Sequence, residues 1–331
     1  MLYRLLKTYA RFAIHIYAPQ LVIHKPESLE MKGPLLLACN HPNSFLDGIV
    51  LTTLFSEPIY SLARGDAFRI KWVDRFLRKM KLLPVYRTSE GTENLGLNYT
   101  TFAACRDTFR ANGIVLIFSE GRCENEWHLR PLKKGTARLA ITSWKEGIPL
   151  KILPVALNYS TFNGFSKAIH IFFGEEISSD AIPLQESDGR QLNCFNAQLK
   201  HQLEQMVYEI SPGDINEVVK RFDIHIKPYF YLFLPFAVLG WLLHAPLYYP
   251  AKVVAAKFHG TGHYDSVLHS LLLLLYPFYC VILTGLACFI SPWFSLTMIV
   301  LPFTAWCLSH VKIQSGLGLK RKGPATAGPV S

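Results

Sequence analysis

His41 and Asp47 are the residues of this chain best suited to chemistry. They stand in the run Asn40-His41-Pro42-Asn43-Ser44-Phe45-Leu46-Asp47, directly after an apolar stretch at 34–39. A carboxylate that reaches an imidazole fixes its tautomer and favours the imidazolium formed when a proton is taken up. No serine or cysteine in an elbow motif accompanies the pair, so the chemistry it suits is direct activation of a substrate hydroxyl. The same two residues would also serve as a helix-capping aspartate and a solvated histidine.

Other segments carry groups of the right type. Arg87 ends Leu83-Pro84-Val85-Tyr86-Arg87 and offers a planar, permanently charged fork for a phosphate, or a partner for a surface ion pair. Glu120 and Gly121 close Ile117-Phe118-Ser119-Glu120-Gly121, where a tight turn after a strand lets backbone amides approach a ligand. Glu120 could orient an acceptor's hydroxyl groups or pair with a cation, and the segment also reads as a plain strand-end turn. Leu153-Pro154-Val155 is apolar. Arg64, in Arg64-Gly65-Asp66-Ala67-Phe68, is a candidate phosphate or carrier contact. Lys133 and Lys134, with Arg138, stand at the start of a predicted helix; they suit an anion site or a solvated basic face near anionic lipid.

Taken in this order, the segments resemble the four motifs of the glycerolipid acyltransferase superfamily, over roughly residues 15–225. Two departures are visible. Five residues separate His41 from Asp47 where four are usual, as in one branch of the superfamily, and Ser119 stands where the third motif commonly has proline. The resemblance implies that His41 is a general base held by Asp47. It assigns Arg87, with Glu120 and Gly121, to the acceptor phosphate, and Ser119, Pro154 and Val155 to the substrate pocket, while Arg64, Lys133 and Lys134 stay candidate contacts on their chemistry alone. The implied reaction carries a fatty acyl group from acyl-CoA or acyl carrier protein to 1-acyl-glycerol 3-phosphate. Glycerol 3-phosphate or another lysophospholipid is the alternative acceptor. No metal, cofactor or covalent enzyme intermediate is expected. A non-catalytic lipid-binding membrane module and a thioester hydrolase are the readings from other classes.

The elements that must position these residues are those of an α/β fold, a mixed, mostly parallel sheet flanked by helices. Apolar runs at 34–39, 114–118, 151–157 and 168–173 read as buried strands, with predicted helices at 98–110, 136–145 and 191–210 between and after them. Residues 28–225 form the expected catalytic domain. Ahead of it, 1–27 holds an amphipathic helix with Arg4, Lys7, Arg11 and His15 on one face and leucines and tyrosines on the other, a pattern suited to a membrane interface or, as the alternative, to docking on the protein's own core. Those basic residues also interrupt any signal-peptide core.

Residues 226–311 read as a membrane region. Stretches 266–290 and 293–311 are long and apolar enough to span a bilayer as a transmembrane helical hairpin, while 228–249, interrupted by Pro235 and Pro246, is a third span or an interfacial segment. The tail at 312–331 is basic, and Lys312, Lys320, Arg321 and Lys322 favour a cytoplasmic location for it. A bacterial inner membrane, with the catalytic domain on the cytoplasmic face, is the expected setting.

Composition agrees with that setting. The 331 residues carry a formal charge of +10 and are 50% apolar, which suits a bilayer with anionic headgroups. Nucleic acid is not an expected partner, because the basic residues are spread along the chain and no binding motif accompanies them. Seven cysteines without a C-x-x-C pair read as free thiols in a reducing compartment.

Overall fold

The computed structural model describes residues 1–86 and 97–316. Arg87 and the tail from 317 onward lie outside these described residues.

The chain forms a seven-stranded sheet in the order β1-β7-β6-β2-β5-β3-β4. Its strands are β1 (Gln20–His24), β2 (Leu35–Cys39), β3 (Ile59–Arg64), β4 (Leu82–Val85), β5 (Ile114–Phe118), β6 (Lys151–Tyr159) and β7 (Ala168–Phe173). Only β6 and β7 pair antiparallel; the other pairings are parallel. This is the mixed, mostly parallel sheet the apolar runs predict. β2 is buried at all five positions, as a strand covered on both faces must be.

The two-residue period of the strands divides the core between those faces. Leu36, Ala38, Val115 and Ile117 point one way, onto α4 (Leu97–Arg110), α5 (Lys134–Lys145) and α6 (Asp188–Met206). Leu35, Leu37, Leu116, Val155 and Leu157 point the other way, onto α1 (Leu2–Tyr17) and α2 (Phe45–Leu54).

Residues 20–24, grouped by the sequence reading with the N-terminal helix in 1–27, instead form β1. This edge strand pairs in parallel with β7, so the sheet begins there rather than at residue 28. The helix itself is docked: Ile14 and Tyr17 are buried in the core. Its basic side is in use as well. Arg11 donates to the carbonyls of Thr53 and Leu54, at 2.6 and 3.3 Å, and Lys7 to those of Ser56 and Glu57, both at 3.1 Å. These cations satisfy carbonyls at and just beyond the C-terminal end of α2, where positive charge is favourable. Leu2, Leu5 and Phe12 stay exposed.

After the short helix α7 (Ile215–Arg221) come α8 (Phe230–Ala256), α9 (Tyr264–Cys288) and α10 (Thr297–Gln314). Among the described residues, α8 and α9 are long and apolar enough to cross a bilayer; α9 covers most of the expected 266–290 stretch, and α8 covers most of the 228–249 segment. α8 runs unbroken through Pro235, Pro246 and Pro250. Proline removes one backbone donor and bends a helix, yet neighbouring helices can hold the helix together. Segment 293–311 is shortened by a 3-10 turn at Pro292–Leu296. The end of α10 is tied to the catalytic domain: Lys312 donates to the carbonyl of Phe165 at 2.5 Å, and Ser166 donates to the carbonyl of Ser309 at 2.6 Å.

Candidate active site

The site lies at the carboxyl ends of the central parallel strands, where open α/β sheets expose loops from adjacent strands side by side. Cys39 pairs with Phe118 on one side and Val155 on the other. His41 and Glu120 therefore leave the sheet together, each two residues past a paired position. Asn40 extends this order by one step. Its side chain donates to the Leu157 carbonyl at 3.0 Å and accepts from the Leu157 N–H at 2.8 Å, in place of a strand pair with β6.

His41 and Asp47 meet. Nδ1 of the imidazole lies 2.9 Å from Oδ2 of Asp47, whose side chain is fully buried while that of His41 is 12% exposed. Asp47 also accepts from the backbone N–H of Asn43 at 2.9 Å and from the Tyr159 hydroxyl at 2.7 Å. The first of these bonds ties Asp47, in the first turn of α2, back to the loop that precedes the helix; it orients the histidine and does not cap α2. Burial and the Asp47 charge push the Tyr159 phenol well above its ordinary range, which keeps it a neutral donor. The imidazole stacks on Phe118 at a ring distance of 3.9 Å. A proton held on Nδ1 by Asp47 leaves the lone pair on Nε2, the nitrogen free to take a proton from a hydroxyl.

Glu120 is buried beside this pair. One oxygen accepts from the His41 N–H at 3.0 Å and the other from the Arg130 N–H at 3.2 Å. Burial pushes its carboxyl up to about 7, against the pull of those two donors. Its oxygens are thus spent on holding two loops rather than pointing to solvent. Gly121 follows at a φ of 74°, and a side chain there would meet the Lys133 stem at 2.8 Å, so Lys133 packs over the turn. Ser119 is buried and accepts from the Thr136 hydroxyl at 3.0 Å.

The remaining predicted positions are more dispersed. Lys134 is exposed at the start of α5. Arg64 ends β3 and pairs with Asp66 at 2.5 Å. Pro154 and Val155 lie inside the sheet; neither they nor Ser119 line the large cavity described next. Arg87 lies outside the described residues. All seven cysteines are free thiols.

Several partners of the site escaped the sequence reading. Asp265 and Ser266 come from the first turn of α9, and His263 from the residue before it. Asp265 is fully buried and pairs with the equally buried Lys167. It also accepts from the Tyr17 hydroxyl at 2.6 Å and the Asn43 side-chain amide at 2.7 Å. Ser266 donates to the Asn43 carbonyl at 2.7 Å and accepts from the Leu46 N–H at 3.2 Å. The Ser44 hydroxyl lies 2.6 Å from Nδ1 of His263. Burial pulls the Lys167 ammonium down, and Asp265 opposes that pull. One local signal existed: a lone acid at the start of an otherwise uncharged apolar helix needs a partner.

A cavity of about 2220 Å³ lies behind the His41 turn, between the catalytic domain and the helices α1, α8, α9 and α10. Asn125, Gly262 and Tyr264 line it, and Asn125 donates to the Pro42 carbonyl at 2.7 Å. Tyr9, Phe165, Trp241 and Leu273 supply much of its apolar wall. His269 and Ser309, both buried, also line it, and the His269 ring nitrogens and the Ser309 hydroxyl have no hydrogen-bond partner among the described residues.

A carboxylate-held imidazole can act chemically as a general base. Residues 20–158 match the family model for Acyltransferase. Among solved structures, it is similar to the 1-acyl-sn-glycerophosphate (LPA) acyltransferase PlsC from Thermotoga maritima, at 11% identity and a TM-score of 0.45, over 62% of this chain and 78% of that one. No curated protein matches the sequence.

Proposed function

We propose that this protein is a membrane-bound O-acyltransferase that moves a fatty acyl group from acyl-CoA or acyl carrier protein to the hydroxyl of 1-acyl-glycerol 3-phosphate. The observation that carries this reading is the 2.9 Å contact between His41 and a fully buried Asp47, inside the segment that matches the Acyltransferase family model. In the proposed reaction, Nε2 of His41 takes the acceptor's hydroxyl proton as that oxygen attacks the thioester carbonyl. The new C–O bond forms, the C–S bond breaks, and the imidazolium returns its proton to the departing thiolate. General-base assistance of this kind is worth roughly a hundred- to ten-thousandfold, and holding the two substrates together supplies more.

The membrane part of the proposal rests on exposed apolar surface. α8 and α9 have 27 and 25 residues, and the most apolar window of each is only 11% buried. At about 1.5 Å per residue each exceeds the roughly 30 Å of a hydrocarbon core. Surface of this kind on a water-facing helix would promote aggregation. The cavity beside α9 gives an acceptor dissolved in the bilayer room for its chain, which favours a lysophospholipid over glycerol 3-phosphate.

Purified protein incubated with labelled acyl-CoA or acyl carrier protein and a panel of acceptors tests the reading. Acceptor-dependent thiol release is expected, and His41→Ala should abolish it while the protein stays folded. Acceptor-independent release would identify a thioester hydrolase. No release from any donor would identify a non-catalytic lipid-binding module.

A further inference from the structure

Asn43 joins two buried carboxylates. Its backbone N–H donates to Asp47, and its side-chain amide donates to Asp265. The second acid pairs with a buried cation, Lys167, which also feels the Asp47 charge. Lys167 further donates to the Thr161 carbonyl at 2.8 Å and lies 5.7 Å from the ring of Tyr159, the phenol bound to Asp47. Next along α9, Ser266 grips the backbone at both Asn43 and Leu46. The turn that carries His41 is thus held from one side by a helix that lies outside the segment 20–158 that matches the family model.

The charges explain why an acid is needed there. Asp47, Asp265 and Lys167 together carry one net negative charge. With Lys167 paired to Asp265, that charge resides on Asp47, opposite the imidazole, where it favours the imidazolium formed during catalysis. Without Asp265, Lys167 would turn its field on Asp47 and weaken that effect. A buried pair broken on one side leaves the other charge uncompensated, whereas replacing both members by neutral groups does not.

We propose that Asp265 is a positioning residue of the active site. With Ser266 it holds the 41–47 turn through Asn43, and by engaging Lys167 it leaves the Asp47 charge to His41. The C-terminal helices are on this view part of the catalytic apparatus as well as a membrane anchor. The inference rests on His41 being the base. The other titratable groups around the turn are Glu120 and Glu124 with Arg130, Cys123 and His263 against Ser44, Tyr159 on Asp47, Tyr17 on Asp265 with His269 against its ring, and Cys39 within the field of Asp47.

The experiment compares the full-length protein with Asp265→Asn, Asp265→Asn/Lys167→Met and Ser266→Ala, by kcat, KM and the pH–rate profile. Residues that orient a reacting group from outside direct contact carry about ten- to a hundredfold in activity. Asp265→Asn should lower kcat by that factor with the acyl-donor KM unchanged, and move the acid limb of the profile to lower pH. The double variant should return the limb to its original position. Unchanged kcat and limb in folded Asp265→Asn, or a limb shift that survives in the double variant, overturns the proposal. If Asp265→Asn does not fold, Ser266→Ala decides: lowered kcat at constant donor KM supports the proposal and unchanged kcat overturns it. Activity retained in His41→Ala would instead overturn the base assignment, so the two failures are distinct.

Discussion

The Asp47 carboxylate reaches Nδ1 of His41 at 2.9 Å although five residues stand between them in sequence. The turn at Ser44, with φ 55° and ψ −144°, makes this possible. It reverses the chain before α2 begins and places Asp47, in the first helical turn, back beside the ring. That conformation is uncommon for a residue with a Cβ, and it is held by bonds to Cys123 at 2.8 Å and to His263 at 2.6 Å.

Asp47→Asn keeps the shape of this carboxylate and removes its charge. An amide beside Nδ1 can stabilise the wrong tautomer and no longer favours an imidazolium. The expected result is a fall in kcat of about a hundred- to ten-thousandfold, with little change in acyl-donor KM. Steady-state kinetics with the folded variant measure it; near-normal turnover would remove Asp47 from the mechanism.

Glu120 makes a pH-dependent contribution to stability. Its folded carboxyl is pushed up to about 7 from an ordinary 4.5, so between these values the folded state holds a proton that the unfolded chain releases. The contribution is full below about 4.5 and is lost as pH rises to about 7, a swing of order 3 kcal/mol. Glu120→Gln cannot ionise and should show a shallower decline in thermal melts across that window. It should also be less stable at low pH by about 1–3 kcal/mol, because one of the N–H groups of His41 and Arg130 loses its acceptor. Parallel pH dependence in the two proteins would refute this assignment.

Arg87 is expected to hold the acceptor phosphate. A hydrogen bond to a charged group is worth about 1.5–3 kcal/mol, so Arg87→Ala should raise the KM of a phosphate-bearing acceptor about ten- to a hundredfold and leave the donor KM alone. The same kinetics on Arg64→Ala provide the comparison. Arg64 is already paired with Asp66, and its loss is expected to have the smaller effect.

The exposed surface of α9 can be tested by charge. Ile282 is 60% exposed and Leu268 is 1% exposed. Ile282→Lys should weaken membrane insertion by about 3 kcal/mol, read as release from membranes at alkaline pH. Leu268→Lys should instead reduce the yield of folded protein. Full membrane retention and unchanged stability of Ile282→Lys would place that face outside the hydrocarbon.

The sequence by itself determined what depends on near neighbours. Five consecutive apolar residues in β2 predict a strand covered on both faces, and β2 is buried throughout. His41 and Glu120 each follow such a strand, so parallel pairing of β2 with β5 was enough to bring them side by side. Tertiary structure alone decided what depends on distant partners. Asp265 meets Lys167 across 98 residues and Tyr17 across 248; the lone acid of an apolar helix signals that a partner is needed, and nothing local says which one. Pro235 and Pro246 looked like breaks in 228–249, but packing against neighbouring helices kept α8 continuous. Hydrophobic period is set within a few residues, whereas the partner of a buried charge is chosen by how the helices close over the sheet.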